Sequence, residues 1–439
     1  MAGSMLRWFG PVRLSVRRRV SASGLGEKCA NFQKRRLATE MRVGDEYLEV
    51  RHGGALLRFC YVWLRDSCRS AACYDPRTRQ RTADTAAIDL DLRPAGAAVE
   101  DGRLVVSPPH RLHPPGPDGH VTSYSLSWLA DHSHESRRRT VVQPRVLWTS
   151  DVYNAAQVQS GNWEQFMSCE EELRRVMRNY LLYGIAFVDG VPATVAATQA
   201  VSERVSLIRE TLYGKMWSFT SDQSRGDSAY TTLALDRHTD TTYFHEPCGV
   251  QVFHCLKHEG TGGRTLLVDG FHSAEKVLKE SPESFELLSR VPIKHENIED
   301  TGTHLEPHGW HRAGAQHEVY MIRYPSALHS YGLGLLSLRY YYYSRRLADE
   351  YNNYDRSPID TAPPNVIKQW YEAHRLLTAE LRKPENELWV KLTPGKVVFI
   401  DNWRVMHGRD AFTGLRQVCG CYLPRDDVLS TARALGLLA

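Results

Sequence analysis

No run of 18 or more apolar residues occurs anywhere in the 439 residues, which excludes a membrane-spanning helix. Charge of one sign is scarce too: 55 Lys and Arg stand against 51 Asp and Glu, a formal net charge of +4. Much of that excess lies in the first forty residues, so the folded part lacks the basic patch of a nucleic-acid-binding protein. The nine cysteines are odd in number and irregular in spacing. That pattern does not fit a secreted disulfide scaffold and reads as mostly reduced thiols in an intracellular compartment. An internal repeat is missing, and so is the strict strand–helix alternation that a parallel α/β sheet needs. What remains is ordinary globular composition, 42% hydrophobic and 24% charged, in a length that suits a large domain with a smaller one. Neither a nucleic acid nor a membrane is expected as a partner.

Acid is what residues 1–39 lack. Arg7, Arg13, Arg17, Arg18, Arg19, Lys28, Lys34, Arg35 and Arg36 face a single carboxylate, Glu27, with serines interspersed and no secretory apolar core. An Arg-rich, acid-poor start predicts a mitochondrial presequence and a matrix location; the alternative is a solvated basic tail.

Residues 45–148 are strand-like and turn-rich. Tyr47–Val50, Leu56–Phe59 and Leu104–Ser107 are short β-type runs, and Pro108–Pro117 is a Pro/His/Gly loop. A small β-rich N-terminal domain is predicted there. Glu170–Leu182 then carries apolar residues at helical spacing and is closed by Gly184 before a buried strand, Ile185–Val188. Further on, Val250–Leu256, Thr265–Val268, Val319–Tyr324, Val397–Ile400 and Val418–Leu423 read as strands, with helices near 195–212, 272–280 and 364–381. The predicted fold class is mainly β with flanking helices: a double-stranded β-helix, or jelly roll, over about 165–435.

His238-Thr239-Asp240 is a candidate metal motif, because residues i and i+2 of a strand share a face. Alone it reads as a strand histidine beside a solvated aspartate. A second feature is the apolar run from Val397 to Arg409, a buried strand entering a loop with His407 near its end. Two histidines and one carboxylate on one face of a metal leave three positions open, the facial triad of non-haem iron(II) oxygenases. Those positions suit a bidentate 2-oxo acid and dioxygen. Arg416, nine residues beyond His407, can clamp the far carboxylate of such a co-substrate with its planar fork.

The runs RHTDTTYFHEPCGVQVFHCLKHEGTGGRTLLVDGF and VVFIDNWRVMHGRDAFTGLRQVCGCYLPRDDVL resemble the carnitine-biosynthesis 2-oxoglutarate dioxygenases, the γ-butyrobetaine dioxygenase family of iron oxygenases. The resemblance runs from about Tyr47 to the C-terminus. It implies iron ligands at His238, Asp240 and His407, a 2-oxoglutarate clamp at Arg416 and an assisting hydroxyl at Thr265. Tyr213, Trp217 and Tyr230 match segments that form an aromatic cage, and Tyr422 matches a further ring. Spacing alone would make these rings ordinary core. Asp227 is a candidate partner for a substrate α-ammonium, and reads equally as a capping or surface residue.

The activity so implied is hydroxylation of ε-N-trimethyllysine at its β-carbon, the first step of carnitine biosynthesis. Iron(II), 2-oxoglutarate and dioxygen are expected, with ascorbate as a helper and a homodimer as the assembly. γ-Butyrobetaine hydroxylation is the alternative, disfavoured by the presequence and by Thr241-Thr242. A silent ligand-binding relative is another, because the family pattern is interrupted by an insertion at 325–351 ahead of Asn352-Asn353. Cys68, Cys73 and His120 match three zinc positions of the butyrobetaine enzyme. Ser70 replaces a further cysteine, which leaves the set one short of the usual four ligands.

Overall fold

The computed structural model describes residues 40–107, 121–133, 145–220, 228–291, 293–299, 303–305, 358–359 and 362–438. The presequence, the Pro108–Pro117 loop, His120, Asp227, the Val319–Tyr324 strand and the 325–351 insertion lie outside them. The chain divides into two compact units, Met1–Arg139 and Thr140–Ala439. Among the described residues no helix is long and apolar enough to cross a membrane.

The smaller unit holds two three-stranded antiparallel sheets. In one, Tyr47–His52 pairs with Ala55–Cys60; in the other, Arg103–Ser107 is central. Leu48, Val50, Leu57, Phe59, Leu104 and Tyr124 form its core. Two short helices, Tyr61–Asp66 and Leu126–His132, close that core and are not legible as periodic runs, because six or seven residues span less than two turns.

The larger unit has ten strands that matter for function: β1 (Gly161–Asn162), β2 (Ile185–Asp189), β3 (Trp217–Phe219), β4 (Leu235–His238), β5 (Val250–Glu259), β6 (Thr265–Asp269), β7 (Leu388–Val390), β8 (Lys396–Asp401), β9 (Val405–Arg409) and β10 (Leu415–Leu423). They make a six-stranded sheet, β3-β10-β5-β8-β2-β1, and a four-stranded sheet, β4-β9-β6-β7. Every pairing is antiparallel except β1 with β2. This is the two-sheet, jelly-roll type of architecture, with helices packed on the sheets.

Alternation along each strand sorts the layers. Val252, Val397, Phe399, Cys421 and Leu423 turn outward and pack with Leu173, Val176, Met177 and Tyr180 of helix Glu170–Tyr183. Their neighbours Cys255, Val398 and Ile400 turn inward and meet Leu267 and Val405 of the four-stranded sheet. Leu266, Val268 and Met406 face away from that inner layer and meet helices Gly270–Glu280, Pro282–Arg290 and Pro364–Leu381. Several expectations need correcting. The helix expected over 195–212 stops at Glu203, because Arg209 N–H bonds the Tyr422 carbonyl at 2.8 Å and the chain leaves the helix to run beside β10. Trp148, read as the end of the N-terminal domain, is buried in the inner layer of the larger unit, its indole N–H bonding the Tyr183 carbonyl at 2.7 Å.

The turn between β8 and β9 is fixed by buried charge. Arg404 lies 2.8 Å from an Asp269 oxygen and also donates to the Leu182 carbonyl at 2.9 Å and to the Val146 carbonyl. Asp269 in turn accepts from Phe271 N–H and Trp148 N–H, so one ion pair ties the turn, a helix start and the incoming chain. Removing one partner of a buried pair leaves the other uncompensated. Arg404→Met is expected to lower unfolding free energy by about 3–5 kcal/mol. Guanidinium denaturation of the full chain measures this; a loss below about 1 kcal/mol would give the pair no structural role.

Candidate metal centre

β9 pairs with β4 on one side and β6 on the other, and in this register His407 sits opposite both His238 and Leu267. Opposed residues of an antiparallel pair share a face. Both imidazoles therefore project inward with Leu267, their ring centroids 4.5 Å apart. Asp240 joins them, so that donor atoms of His238, Asp240 and His407 all lie within 4.8 Å of one another. Asp240 Oδ1 is 3.2 Å from His238 Nε2 and 3.4 Å from His407 Nε2. Among the described residues this is the one group of three donors able to hold a metal ion.

Strand alternation is not what delivers Asp240. β4 ends at His238, and the carboxylate stands in the turn that follows, where Thr241 takes a left-handed backbone with φ of 62°. A β-branched residue there is strained, and the turn is kept by its surroundings. Thr241 Oγ1 accepts from Cys248 N–H at 2.8 Å. The Asn402 side chain grips the Asp240 peptide from both ends: Oδ1 accepts Asp240 N–H at 2.8 Å, and Nδ2 donates to the Asp240 carbonyl and to the Cys248 carbonyl, each at 2.9 Å. His407 also differs from expectation. It lies in the middle of β9, because the long apolar run is two strands broken by a turn at Asn402–Arg404.

The donors are chemically suited to an iron(II) ion. His238 Nδ1 is 2.8 Å from the Asp236 carbonyl, which can only accept, so the proton sits on Nδ1 and the Nε2 lone pair points at the centre. Burial pushes His407 down from its ordinary pKa, which favours the neutral, ligating imidazole. Burial would raise the Asp240 carboxyl, but a proton carried by the flanking His407 or His238 stabilises the carboxylate more and holds it well below the usual range. Tyr422 hydroxyl donates to Asp240 Oδ2 at 3.1 Å. Burial, with Asp240 beside it, drives that phenol well above its ordinary pKa, so it stays a donor and leaves Oδ1 to the centre. Two neutral nitrogens and one carboxylate oxygen fit ferrous iron with open positions.

Arg416 lies on β10 at the same parity as Tyr422 and is buried. Its guanidinium has no hydrogen bond or ion pair among the described residues; its contacts are the Phe412 ring, 5.6 Å away, and the Gly263 backbone against its stem. Asp410 acts on it electrostatically, but among the described residues no carboxylate reaches it within ion-pair distance, and a buried cation so placed suits an anionic ligand. Thr265 begins β6, two residues past Gly263, on the face shared with Leu267 and His407.

The predicted aromatic residues gather beside Asp240. Trp217 and Tyr422 belong to one buried cluster with Val418 and Cys248, against which Tyr213, Phe219, Phe244 and Phe253 pack. Ring centroids of Trp217 and Tyr422 are 6.0 Å apart, and those of Tyr213 and Tyr422 6.4 Å. Tyr230 joins through Phe219, at 5.0 Å. The indole lies directly over Gly420, where even a β-carbon would stand 2.4 Å from the ring. Sequence reasoning passed over Asn402, Tyr243, whose hydroxyl bonds that of Tyr213, and Phe253, edge-on to His407 at 5.3 Å. Only Asn402 left a signal, as an amide inside an otherwise apolar run. Cys68 and Cys73 are buried in the smaller unit, the Cys68 sulfur 3.3 Å from Ser70 Oγ and the Cys73 sulfur accepting from Arg65 at 3.3 Å.

A family model described as "Taurine catabolism dioxygenase TauD, TfdA family" matches residues 149–422. Among curated relatives, the chain is 55% identical to mouse mitochondrial trimethyllysine dioxygenase, over 90% of this chain and 87% of that protein. It is 54% identical to the human enzyme of the same name over the same shares. Human gamma-butyrobetaine dioxygenase matches at 24%, over 85% of this chain and 90% of its own length.

The Asn402 grip predicts its own test. Asn402→Ala should weaken Mn(II) binding about ten- to a hundredfold, the usual loss when a residue that orients a ligand is removed. Anaerobic calorimetric titration measures it, and unchanged affinity would show that Asp240 needs no such support.

Proposed function

Because this chain belongs to the TauD, TfdA family of dioxygenases, we propose that it is an iron(II)- and 2-oxoglutarate-dependent dioxygenase that hydroxylates ε-N-trimethyllysine at the β-carbon. This places it at the first step of carnitine biosynthesis. The observation that carries the substrate is the aromatic group joined to the carboxylate: Tyr422 bonds Asp240 with its hydroxyl while its ring neighbours Trp217 and Tyr213. A trimethylammonium cannot donate a conventional hydrogen bond and is recognised by aromatic faces. The much higher identity to trimethyllysine dioxygenases than to gamma-butyrobetaine dioxygenase favours the same substrate.

His238, Asp240 and His407 would hold the iron, and Arg416 with Thr265 the 2-oxoglutarate carboxylate. Bound iron supplies dioxygen activation: one oxygen atom goes to 2-oxoglutarate, which loses carbon dioxide and becomes succinate, and the other to the substrate C–H bond. The protein's own part is placement and exclusion of water. Tyr213, Trp217, Tyr230 and Tyr422 grip the trimethylammonium end and so fix which carbon faces the centre. Tyr422 keeps Asp240 turned toward the imidazoles, and Phe253 covers the His407 ring.

The Arg-rich residues 1–39 support import into the mitochondrial matrix, as do relatives named mitochondrial. A homodimer and an ascorbate requirement follow from the family resemblance. A structural zinc at Cys68, Cys73 and His120 would need a fourth ligand in place of Ser70.

Succinate release and product mass, measured with trimethyllysine, γ-butyrobetaine and lysine in turn, test the substrate. Trimethyllysine should be preferred over lysine, whose ammonium is strongly hydrated. Trp217→Leu keeps apolar bulk but removes the indole face, so trimethyllysine affinity should fall roughly thirtyfold while 2-oxoglutarate saturation stays put. Equal use of lysine and trimethyllysine would overturn the substrate assignment. Arg416→Ala should act the other way, weakening 2-oxoglutarate by roughly thirtyfold to several thousandfold with little effect on the amine. Unchanged 2-oxoglutarate saturation would remove Arg416 from the clamp.

A further inference from the structure

Two residues beyond His407, and at the same parity on β9, stands a second buried polar side chain, Arg409. Its guanidinium reaches into the segment that carries Tyr230, a single 3-10 turn over Ser228–Tyr230 followed by irregular chain. Nη1 donates to the Ala229 carbonyl at 3.2 Å, and Nη2 donates to the Thr231 carbonyl at 2.7 Å and the Leu233 carbonyl at 2.8 Å. Alternate carbonyls of this stretch thus converge on one cation. Phe412 adds a fourth tie, its N–H bonding the Thr232 carbonyl at 3.2 Å. The Phe412 ring lies 4.8 Å from the Arg409 guanidinium and 5.6 Å from that of Arg416.

Backbone carbonyls outside a sheet or helix still need donors, and a segment without them would not keep one conformation. A guanidinium offers five N–H groups in a rigid plane, so one side chain can serve three carbonyls; an ammonium cannot reproduce that fork. We propose that Arg409 is a positioning residue for substrate recognition. It fixes the 229–233 segment against the strand that holds His407, and so presets Tyr230 next to Phe219, which itself stacks on Trp217, before the amine arrives. Preset contacts strengthen binding because the ordering cost is met in the free protein. This inference rests on reading the pocket as a trimethyllysine site.

The test is a double-mutant cycle on the full chain with Arg409→Lys and Tyr230→Leu. Trimethyllysine and 2-oxoglutarate are each titrated calorimetrically into Mn(II)-loaded protein, and hydroxylated product is measured aerobically with iron. Arg409→Lys should weaken trimethyllysine about ten- to thirtyfold and change 2-oxoglutarate by less than about twofold. If Arg409 acts through Tyr230, the double variant should bind no more than about twofold worse than Tyr230→Leu alone. Additive losses, or equal weakening of both ligands, overturn the proposal. Should Arg409→Lys not fold, amide hydrogen exchange of the wild-type chain keeps the test: the 229–233 amides should already be protected before trimethyllysine is added, and protection that appears only on adding the amine overturns the proposal. A wild-type chain that yields no hydroxylated trimethyllysine overturns the functional reading, and this inference with it. A productive wild type with an additive cycle overturns this inference alone.

Discussion

The Asn402 amide joins the two halves of the metal centre. Its three hydrogen bonds tie the peptide of Asp240, and the chain at Cys248, to the turn from which β9 and His407 depart. Without that grip the carboxylate would hang on a turn whose Thr241 has an unfavourable backbone conformation. The turn bearing Asn402 is itself fixed by the buried Arg404–Asp269 pair and by Arg425, which lies 2.6 Å from Asp401. Ligand geometry therefore passes through an amide and then through buried charge. Both are directional interactions, which a hydrophobic core alone does not provide.

The two-sheet frame gives each strand two different tasks. On β10, Cys419, Cys421 and Leu423 face the helices, whereas Val418, Gly420 and Tyr422 line the inner layer. On β5, Val252 supports the helical side while Phe253 reaches His407. Outward residues secure the fold and inward residues shape the pocket, to which turns add Asp240, Tyr213 and Tyr230. The four-stranded sheet repeats the arrangement, with Leu266 outward and Leu267 beside the histidine.

Legibility in the sequence followed interaction range. Long strands such as β5, β8 and β10 show as apolar runs, and helix Pro364–Leu381 shows through its period. Helix Pro282–Arg290 was not read, although its Ser281 cap and Pro282 are ordinary start signals; only Ser281 separates it from the preceding helix. His-x-Asp and a later histidine named three residues that the fold brings together, but through a turn and a strand centre and not by the expected routes. The turn stayed hidden because Thr241 replaces the glycine or asparagine that usually marks a positive φ. Arg409 was silent, and the role of Asn402 went unread, for another reason: their partners lie about 180 and 160 positions away, and no local pattern encodes such distances.

The close approach of Trp217 to Gly420 restricts how this pocket can vary among descendants. Any side chain on β10 at that point would strike the indole or the Val252 carbonyl opposite, 2.0 Å from where its first carbon would stand. Losing the tryptophan does not free the position, because the Val252 carbonyl remains, and it opens a void over a bare backbone. Both positions are thus locked, with each single step disfavoured. New amine specificities should arise more readily at Tyr213 or Tyr230, which are only partly buried.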